Sequence, residues 1–365
     1  MRVAFVSSET TWRRDSADAR RIERVAGLLA ARGHDVTVFC AQWWNDYTAE
    51  RTVDGVRYCG LTVGTATAAF VSRLPVALAR YRPAVVHARL TPPHTALAAR
   101  AGATVARAPL VVEHSGKQSI DGQRGTAAVA AADRIVVPSE LVQTAVRQQG
   151  ANKATTRTIP ESIDYQQIAA TDPAAGVDIV YAHSLDETAN LEALLLALAE
   201  LRSREWTATI VGDGPRREEY ERQVEALRIA DRVAFAGWPD RDRRRALYRG
   251  AHVFVQTATR VQFPLELLRG LAAGTVGIVE YHSGSSAHEL IEKYDRSYRV
   301  TDTETMADAI TAAGGLEHRT VDQRWQTYSH ERVLEQYLSL YDELTDSEPN
   351  AASRPPRSAG AEAGR

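Results

Sequence analysis

In the stretch "FPLELLRGLAAG", Phe263 to Gly274, one carboxylate, Glu266, sits early in a segment that otherwise reads as core. Pro264 suits the first turn of a helix and Gly274 its end. Glu266 is therefore expected in the first helical turn, just after the strand-like run "HVFVQTA". In an open α/β sheet that edge is where ligands bind. A carboxylate there can accept hydroxyl protons, while the amides of the helix N-terminus face phosphate. An acid in a first turn also complements the helix dipole, by ~0.3–1 kcal/mol, with no ligand at all. Other chemistry-bearing residues fall at comparable edges. Gly212 and Gly214 punctuate "GDGP" after a strand, with Arg216 and Arg217 following. Arg260 lies in the loop before Pro264, His114 ends the strand of "VVEHSG", and Trp238 follows "FAG". Each has a plain structural alternative: a solvated arginine, a satisfied polar residue, a half-buried aromatic.

Several chemistries are excluded. "GDGP" does not complete a dinucleotide fingerprint, so a dehydrogenase is not indicated. "SGS" lacks the spacing of a nucleophile elbow. The two cysteines, Cys40 and Cys59, make neither a zinc set nor a disulfide scaffold. No metal or cofactor is expected.

The elements that must position these residues alternate in type. Arg2 to Ser7 reads as a buried strand. "IERVAGLLAARG" reads as a helix, with Ile22, Val25, Leu28 and Leu29 at helical spacing and Gly33 at its end, and Asp35 to Phe39 as the next strand. The alternation continues through "AVVHARL", "PLVVEHS" and "DRIVVPSELVQTAV". It pauses at "RTIPESIDYQQIAATDPAAG", rich in turn residues, then resumes with "VDIVYAHS". Strands alternating with helices imply parallel sheets covered on both faces. The expected fold is α/β: two facing Rossmann-like domains, residues 1–165 and 166–324, a helix over 325–345 returning to the first, and a disordered tail over 346–365. Val333, Tyr337 and Tyr341 form the apolar stripe of the returning helix.

The 365 residues suit two cores. A net charge of −2 draws the chain to no nucleic acid. All but three (Lys117, Lys153, Lys293) of the 44 basic residues are arginine. Phosphate recognition would therefore fall to arginines, amides and helix N-termini. The start "MRVAFVSSE" is not a signal peptide, and no apolar run approaches the ~20 residues that span a bilayer. The expected location is the cytoplasm.

The order of elements from Met1 to about Thr345 resembles the GT-B glycosyltransferases, specifically the retaining family 4 enzymes. The resemblance is carried by "LAARGHDVTVF", "ADRIVVPSELVQTAV", "TIPESID", "LYRGAHVFVQTA" and "YSHERVLEQYLSLYDEL". The nearest stretch is "ATIVGDGPRREEYERQVEALRIADRVAFAGW". It implies transfer of a sugar, of hexosyl type, from a nucleotide-sugar donor to an acceptor with retention. The first domain would face the acceptor and the second the donor.

It further implies that a carboxylate pair grips the donor. The second acid matches Glu266, in the role of ribose anchor, but the first falls on Ala258, eight positions upstream. The two cations that hold the family's donor diphosphate fall on Ser184 and Ala189 in "HSLDETAN", and the glycine pair of the first loop is absent from "WRRDSADARR". The donor site is thus degenerate. Arg260 is the preferred substitute cation, ahead of Arg216, Arg217, Arg13 and Arg14. His114 matches a histidine that contacts the donor sugar, ahead of His87, His94 and His183. Trp238 stands where the nucleotide base packs, and Gly212 and Gly214 are placed at the donor. Glu289 is read as a helix-surface acid. Arg13, Arg14, Arg20, Arg21 and Arg24 are read as a solvated helix face. The acceptor stays open among glycan, lipid-linked and small-molecule classes, and so does peripheral contact with the inner membrane face. A second reading also stays open, a non-catalytic relative that partners or regulates a glycan-synthesis enzyme.

Overall fold

A computed structural model describes residues 1–64 and 66–346. The tail expected beyond Asp346 lies outside the described residues. Asp346 itself closes the last helix.

The first half runs β1 (Arg2–Val6), α1 (Ala17–Ala31), β2 (Asp35–Gln42), β3 (Glu50–Val53), β4 (Val56–Val63), α2 (Thr67–Tyr81) and β5 (Val85–Arg89). It continues with α3 (Pro93–Ala106), β6 (Leu110–Glu113), α4 (Gln123–Ala131), β7 (Arg134–Val137), α5 (Glu140–Gln148) and β8 (Thr156–Thr158), and α6 (Tyr165–Ala170) follows the crossing and packs on the second half. Its sheet has the order β3-β4-β2-β1-β5-β6-β7-β8, parallel except for the β3–β4 hairpin. The second half runs β9 (Ile179–Ala182), α7 (Leu191–Glu200), β10 (Ala208–Val211), α8 (Arg217–Ala226), β11 (Val233–Gly237), α9 (Arg241–Gly250) and β12 (Val253–Gln256). Then come α10 (Leu265–Ala272), β13 (Val276–Glu280), α11 (Ala287–Ile291), β14 (Ser297–Val300), α12 (Thr303–Ala313) and α13 (His330–Asp346). Its sheet, β11-β10-β9-β12-β13-β14, is parallel throughout.

Both sheets are covered on both faces, as continuous apolar strands such as "VAFV" and "LVV" require. One face of the first sheet packs on α2 and α3 through Phe70, Leu74, Leu78 and Ala99. The other packs on α1 and α13 through Ile22, Leu29, Val333, Tyr337 and Leu340. The apolar stripe of α13 is thus buried on the first half, as its sequence spacing predicts. A 3-10 turn, Gln323–Tyr328, precedes it.

The hairpin and α2 fill a stretch for which helical or strand spacing gave no assignment. Its signal was present. Asp54 and Gly55 both have positive φ, 50° and 77°, the turn that Asp-Gly favours between paired strands.

The helix carrying Glu266 forms as its residues dictate. Leu267, Leu268 and Leu271 are fully buried on one face. Pro264 stands one position before the first turn, not within it, so Glu266 is the second helical residue. Gly274, at φ 92°, ends the helix where a Cβ would sit 2.6 Å from the Arg319 carbonyl oxygen. The chain passes from the first half to the second and back through adjacent segments. Ile163 and Ser329 pair there, with the Ile163 amide donating to Tyr328 O at 2.9 Å and the His330 amide to Ile163 O at 3.1 Å.

Candidate active site

Between the halves lies a cavity of about 810 Å3. The first half contributes Thr11, Trp12, Asp15, Arg20, Glu23 and Arg24, and the second Trp238, Arg241, Arg244, Arg245, Tyr248, Glu266 and Arg269. Asp164 and His330 line it at the chain crossing. Six arginines face four carboxylates, so the lining is cationic. Burial pushes the His330 ring down to about 4, keeping it uncharged at neutral pH.

Glu266 organises the second-half wall. Its Oε1 accepts from Arg244 at 3.1 Å and from Arg269, and its Oε2 accepts the Tyr248 hydroxyl at 2.7 Å. Tyr248 is fully buried, and burial followed by the Glu266 charge holds its hydroxyl protonated. A carboxylate offers about four acceptor positions. Three are taken, leaving one on Oε2 for a ligand. Trp238 is 48% exposed on the same wall, with the Arg244 guanidinium 4.8 Å over its ring. The structure therefore brings Glu266 and Trp238 together. It adds Arg244, Arg269 and Tyr248, which sequence reasoning did not single out. Their signals were the arginine run "DRDRRR" at the start of α9 and the three-residue spacing of Glu266 and Arg269 on α10.

The remaining candidates lie elsewhere. Arg260 is exposed on the β12–α10 loop and has no ion-pair or hydrogen-bond partner among the described residues. Gly212 and Gly214 serve a backbone crossing. A Cβ at Gly212 would lie 2.0 Å from His183 O, and one at Gly214 2.5 Å from Leu185 O. Ser184 is exposed, whereas Ala189 and Ala258 are buried, at 0% and 1% exposure. Beside them Asn190 donates to Glu280 at 2.8 Å. Arg216 and Arg217 are held by Glu219 and Glu221 on their own helix, and Arg13 donates to Gln42 O. Among the described residues no three His, Cys, Asp or Glu side chains cluster as a metal set.

His114 lines neither this cavity nor the smaller one in the first half. It is 3% exposed, its Nδ1 has no hydrogen-bond partner, and burial pushes its ring down to about 4 despite Asp18 nearby. His87 is wholly buried, within 2.6 Å of the Tyr341 hydroxyl, and His183 neighbours Thr188.

Two sequence readings are corrected. Glu289 is not a free surface acid. From α11 its carboxylate accepts the Glu140 and Leu141 amides of α5, each at 2.9 Å, across the two halves. Free N–H groups at a helix start attract a carboxylate strongly. Ser139 adds a bond to Gln262 O at 2.7 Å. Nor do the α1 arginines form a solvated face. Arg21 is 4% exposed and bonds Glu113, Ile159 O at 2.8 Å and the Tyr337 hydroxyl at 2.7 Å, while Arg24 pairs with Glu161 at 2.9 Å. A helix rotated by one residue buries what its neighbour exposes, and five clustered arginines do not reveal which one turns inward.

Two facing parallel α/β halves with a cationic cleft between them define the GT-B class of glycosyltransferases. The chain matches the family model described as Glycosyltransferase Family 4 over residues 19–167 and that described as Glycosyl transferases group 1 over residues 176–313. It belongs to this family. Solved structures share the fold. Sucrose-phosphate synthase from Thermosynechococcus elongatus is 18% identical, with a TM-score of 0.73 over 95% of this chain and 99% of that one. A glycosyltransferase from Rickettsia africae is 14% identical, with a TM-score of 0.76 over 95% and 99%. Anabaena HepE, solved with UDP, is 16% identical, with a TM-score of 0.72 over 94% and 100%. No curated protein sequence matches the chain. No helix among the described residues is long and apolar enough to cross a membrane.

Proposed function

We propose that this chain transfers a hexosyl group from a nucleotide-sugar donor to an acceptor, with retention, in the cleft between its halves. The carrying observation is the arginine-lined cavity in which Glu266 and Trp238 share one wall. In this reading Trp238 stacks the base, and the open position on Glu266 Oε2 accepts a ribose hydroxyl. Arg244 and Arg269, held by Glu266, stand beside the diphosphate path, and Arg260 reaches it from the loop above. These cations stand in for the charge that Ser184 and Ala189 lack. Gly212 and Gly214 keep the donor edge free of side chains. In this reading His114, neutral at pH 7, is a hydrogen-bond partner for the donor sugar and not a proton source. The leaving phosphate takes the acceptor proton, so the protein positions groups and stabilises charge. Relatives solved with UDP and with UDP-glucose support a uridine donor as the first to try.

A second reading is favoured by one observation. Ser184, Ala189 and Ala258 offer neither cation nor carboxylate where the family grips its donor. The chain would then be a non-catalytic partner or regulator of a glycan-synthesis enzyme.

Thermal denaturation with UDP, UDP-glucose, ADP-glucose and GDP-mannose separates the two. A donor at a hundred times its dissociation constant stabilises by ~2.7 kcal/mol. The transferase reading expects such a shift from at least one donor and loss of sugar transfer or hydrolysis in Glu266→Ala. No shift with any of the four sinks it and leaves the second reading.

A further inference from the structure

Besides the paired crossing at Ile163 and Ser329, three hydrogen bonds tie the halves together, all from the start of α5. The Glu140 and Leu141 amides donate to the Glu289 carboxylate, each at 2.9 Å, and the Ser139 hydroxyl donates to the Gln262 carbonyl at 2.7 Å. The first two let a carboxylate of one half complete the helix start of the other. The third reaches further, because of the segment to which Gln262 belongs.

Gln262 stands between β12 and α10, two residues after Arg260 and four before Glu266. This stretch of backbone therefore sets where both side chains stand. The second half holds it from one side: the Ser286 hydroxyl donates to Gln262 O and the Ser286 amide to Val261 O, each at 2.8 Å. A carbonyl oxygen has two lone pairs. The second position on Gln262 O is filled from the first half, by Ser139. The first half also closes on Gln262 sterically. A Cβ at Gly116, φ 80°, would lie 2.9 Å from Gln262 Cγ and 2.6 Å from Val142 Cγ2, so the β6–α4 loop approaches as only a glycine can. Glu289, three residues after Ser286, fixes α5 against the same corner of the second half.

This contact is of a kind that can be made and broken. Its hydrogen bonds are polar, and water can replace them when the halves separate. Burial pushes the Glu289 carboxyl up from its ordinary value, against the two amide bonds that favour its charge. Desolvation thus offsets part of what those bonds gain.

We propose that Ser139 and Glu289 are positioning residues for the donor wall: they touch no ligand, and through them the first half holds the Arg260–Glu266 segment in place. The wall is then complete only while the halves are in contact, although its residues belong to the second half. The inference rests on the transferase reading for the word donor, but the holding of the segment does not.

The test uses the full chain, with Ser139→Ala, Glu289→Ala and the two combined. Limited trypsin digestion, read by mass, follows the cut after Arg260 against a control cut after Arg107, which is exposed at the end of α3. Calorimetric titration follows UDP. Each single variant should speed the cut after Arg260 at least fivefold, leave the control cut unchanged and weaken UDP at least fivefold. The combined variant should add little to either, because both changes release one contact. Glu289→Gln keeps an acceptor for one amide and should fall between. A role confined to capping α5 would leave the Arg260 cut and UDP as they are, and that result overturns the proposal. So does faster cutting at both sites, which is loss of fold, or a faster Arg260 cut with UDP affinity intact. If UDP does not bind the unaltered chain, the transferase reading fails instead, and the Arg260 cut alone decides whether the first half holds the segment.

Discussion

Two clusters in this molecule are built from the same parts. In the first half Glu113 accepts from Arg21 and from the Tyr337 hydroxyl at 2.7 Å, with His87 beside it. In the second half Glu266 accepts from Arg244, Arg269 and the Tyr248 hydroxyl. The surroundings differ. Glu113 and Arg21 side chains are each 5% exposed, and nothing but protein surrounds them. Burial alone would push the Glu113 carboxyl up, but Arg21, His87 and Tyr337 outweigh it and hold the carboxyl well below the ordinary carboxylate range. Glu266 is 15% exposed and fronts a large cavity. A Glu–Arg–Tyr cluster is therefore no signature of function by itself. One closes the joint between α1, β6 and α13, and the other keeps arginines poised at an open wall.

The largest expected effect breaks the closed cluster. Glu113→Gln removes the nearer of the two carboxylates on buried Arg21, leaving only Glu161 at 3.4 Å, and should cost about 3 kcal/mol in urea unfolding. The loss should include docking of α13, read by proteolysis near residue 330.

Next comes acid. His114 and His330 are both held near 4 by burial, against an ordinary 6.5. Below about 6.5 the unfolded chain binds protons that the folded chain refuses. The histidines' contribution to stability should therefore be lost from pH 6.5 to pH 4 and level off below, His114 alone accounting for on the order of 3 kcal/mol. Glu113 works in the same direction. Its folded value is depressed, so its contribution, full above its unfolded value, fades as pH falls below the ordinary carboxylate range. Urea midpoints at pH 7 and 4.5 measure the slope, and His114→Gln should flatten it.

The open cluster should respond differently. Glu266→Gln should lower UDP affinity about tenfold or more, roughly 1.4 kcal/mol, while unfolding shifts by less than in Glu113→Gln. Calorimetric titration of UDP beside urea unfolding checks it. A stability loss equal to that of Glu113→Gln, with UDP affinity intact, would erase the distinction between the clusters. Trp238→Ala removes only an exposed ring and should weaken UDP by several-fold with a negligible change in stability. Arg260→Ala is the mildest. Its effect should appear on UDP but not on uridine, since the proposed role of Arg260 is toward phosphate alone.

The contrast also explains what the sequence could disclose. Strand and helix order outside β3, β4 and α2 was legible because apolar periodicity is local, and α13 was legible down to Val333, Tyr337 and Tyr341. The positions of Trp238, just after β11, and of Glu266, in the first turn of α10, were legible because strand ends and helix starts are local signals. Arg269 carried a local signal, three residues from Glu266 on α10, that went unread, whereas Arg244 was not legible, since its reach to Glu266 depends on how α9 lies against α10. Glu289 was misread for the same reason, because its partners are the amides of Glu140 and Leu141, and an amide carries no residue identity to recognise. Arg21 was hidden among arginines that look alike until the helix is docked.

The paired crossing at Ile163 and Ser329 has a consequence for the chain as a thread. Everything from 164 to 328 leaves and re-enters at one doorway, so the second half is an insert in a first half that is otherwise continuous through α13. A short Gly-Ser linker from Ile163 to Ser329 should excise it and leave the eight-stranded sheet with its closing helix. The two halves could then be weighed separately, one for its smaller cavity and the other for its arginine wall.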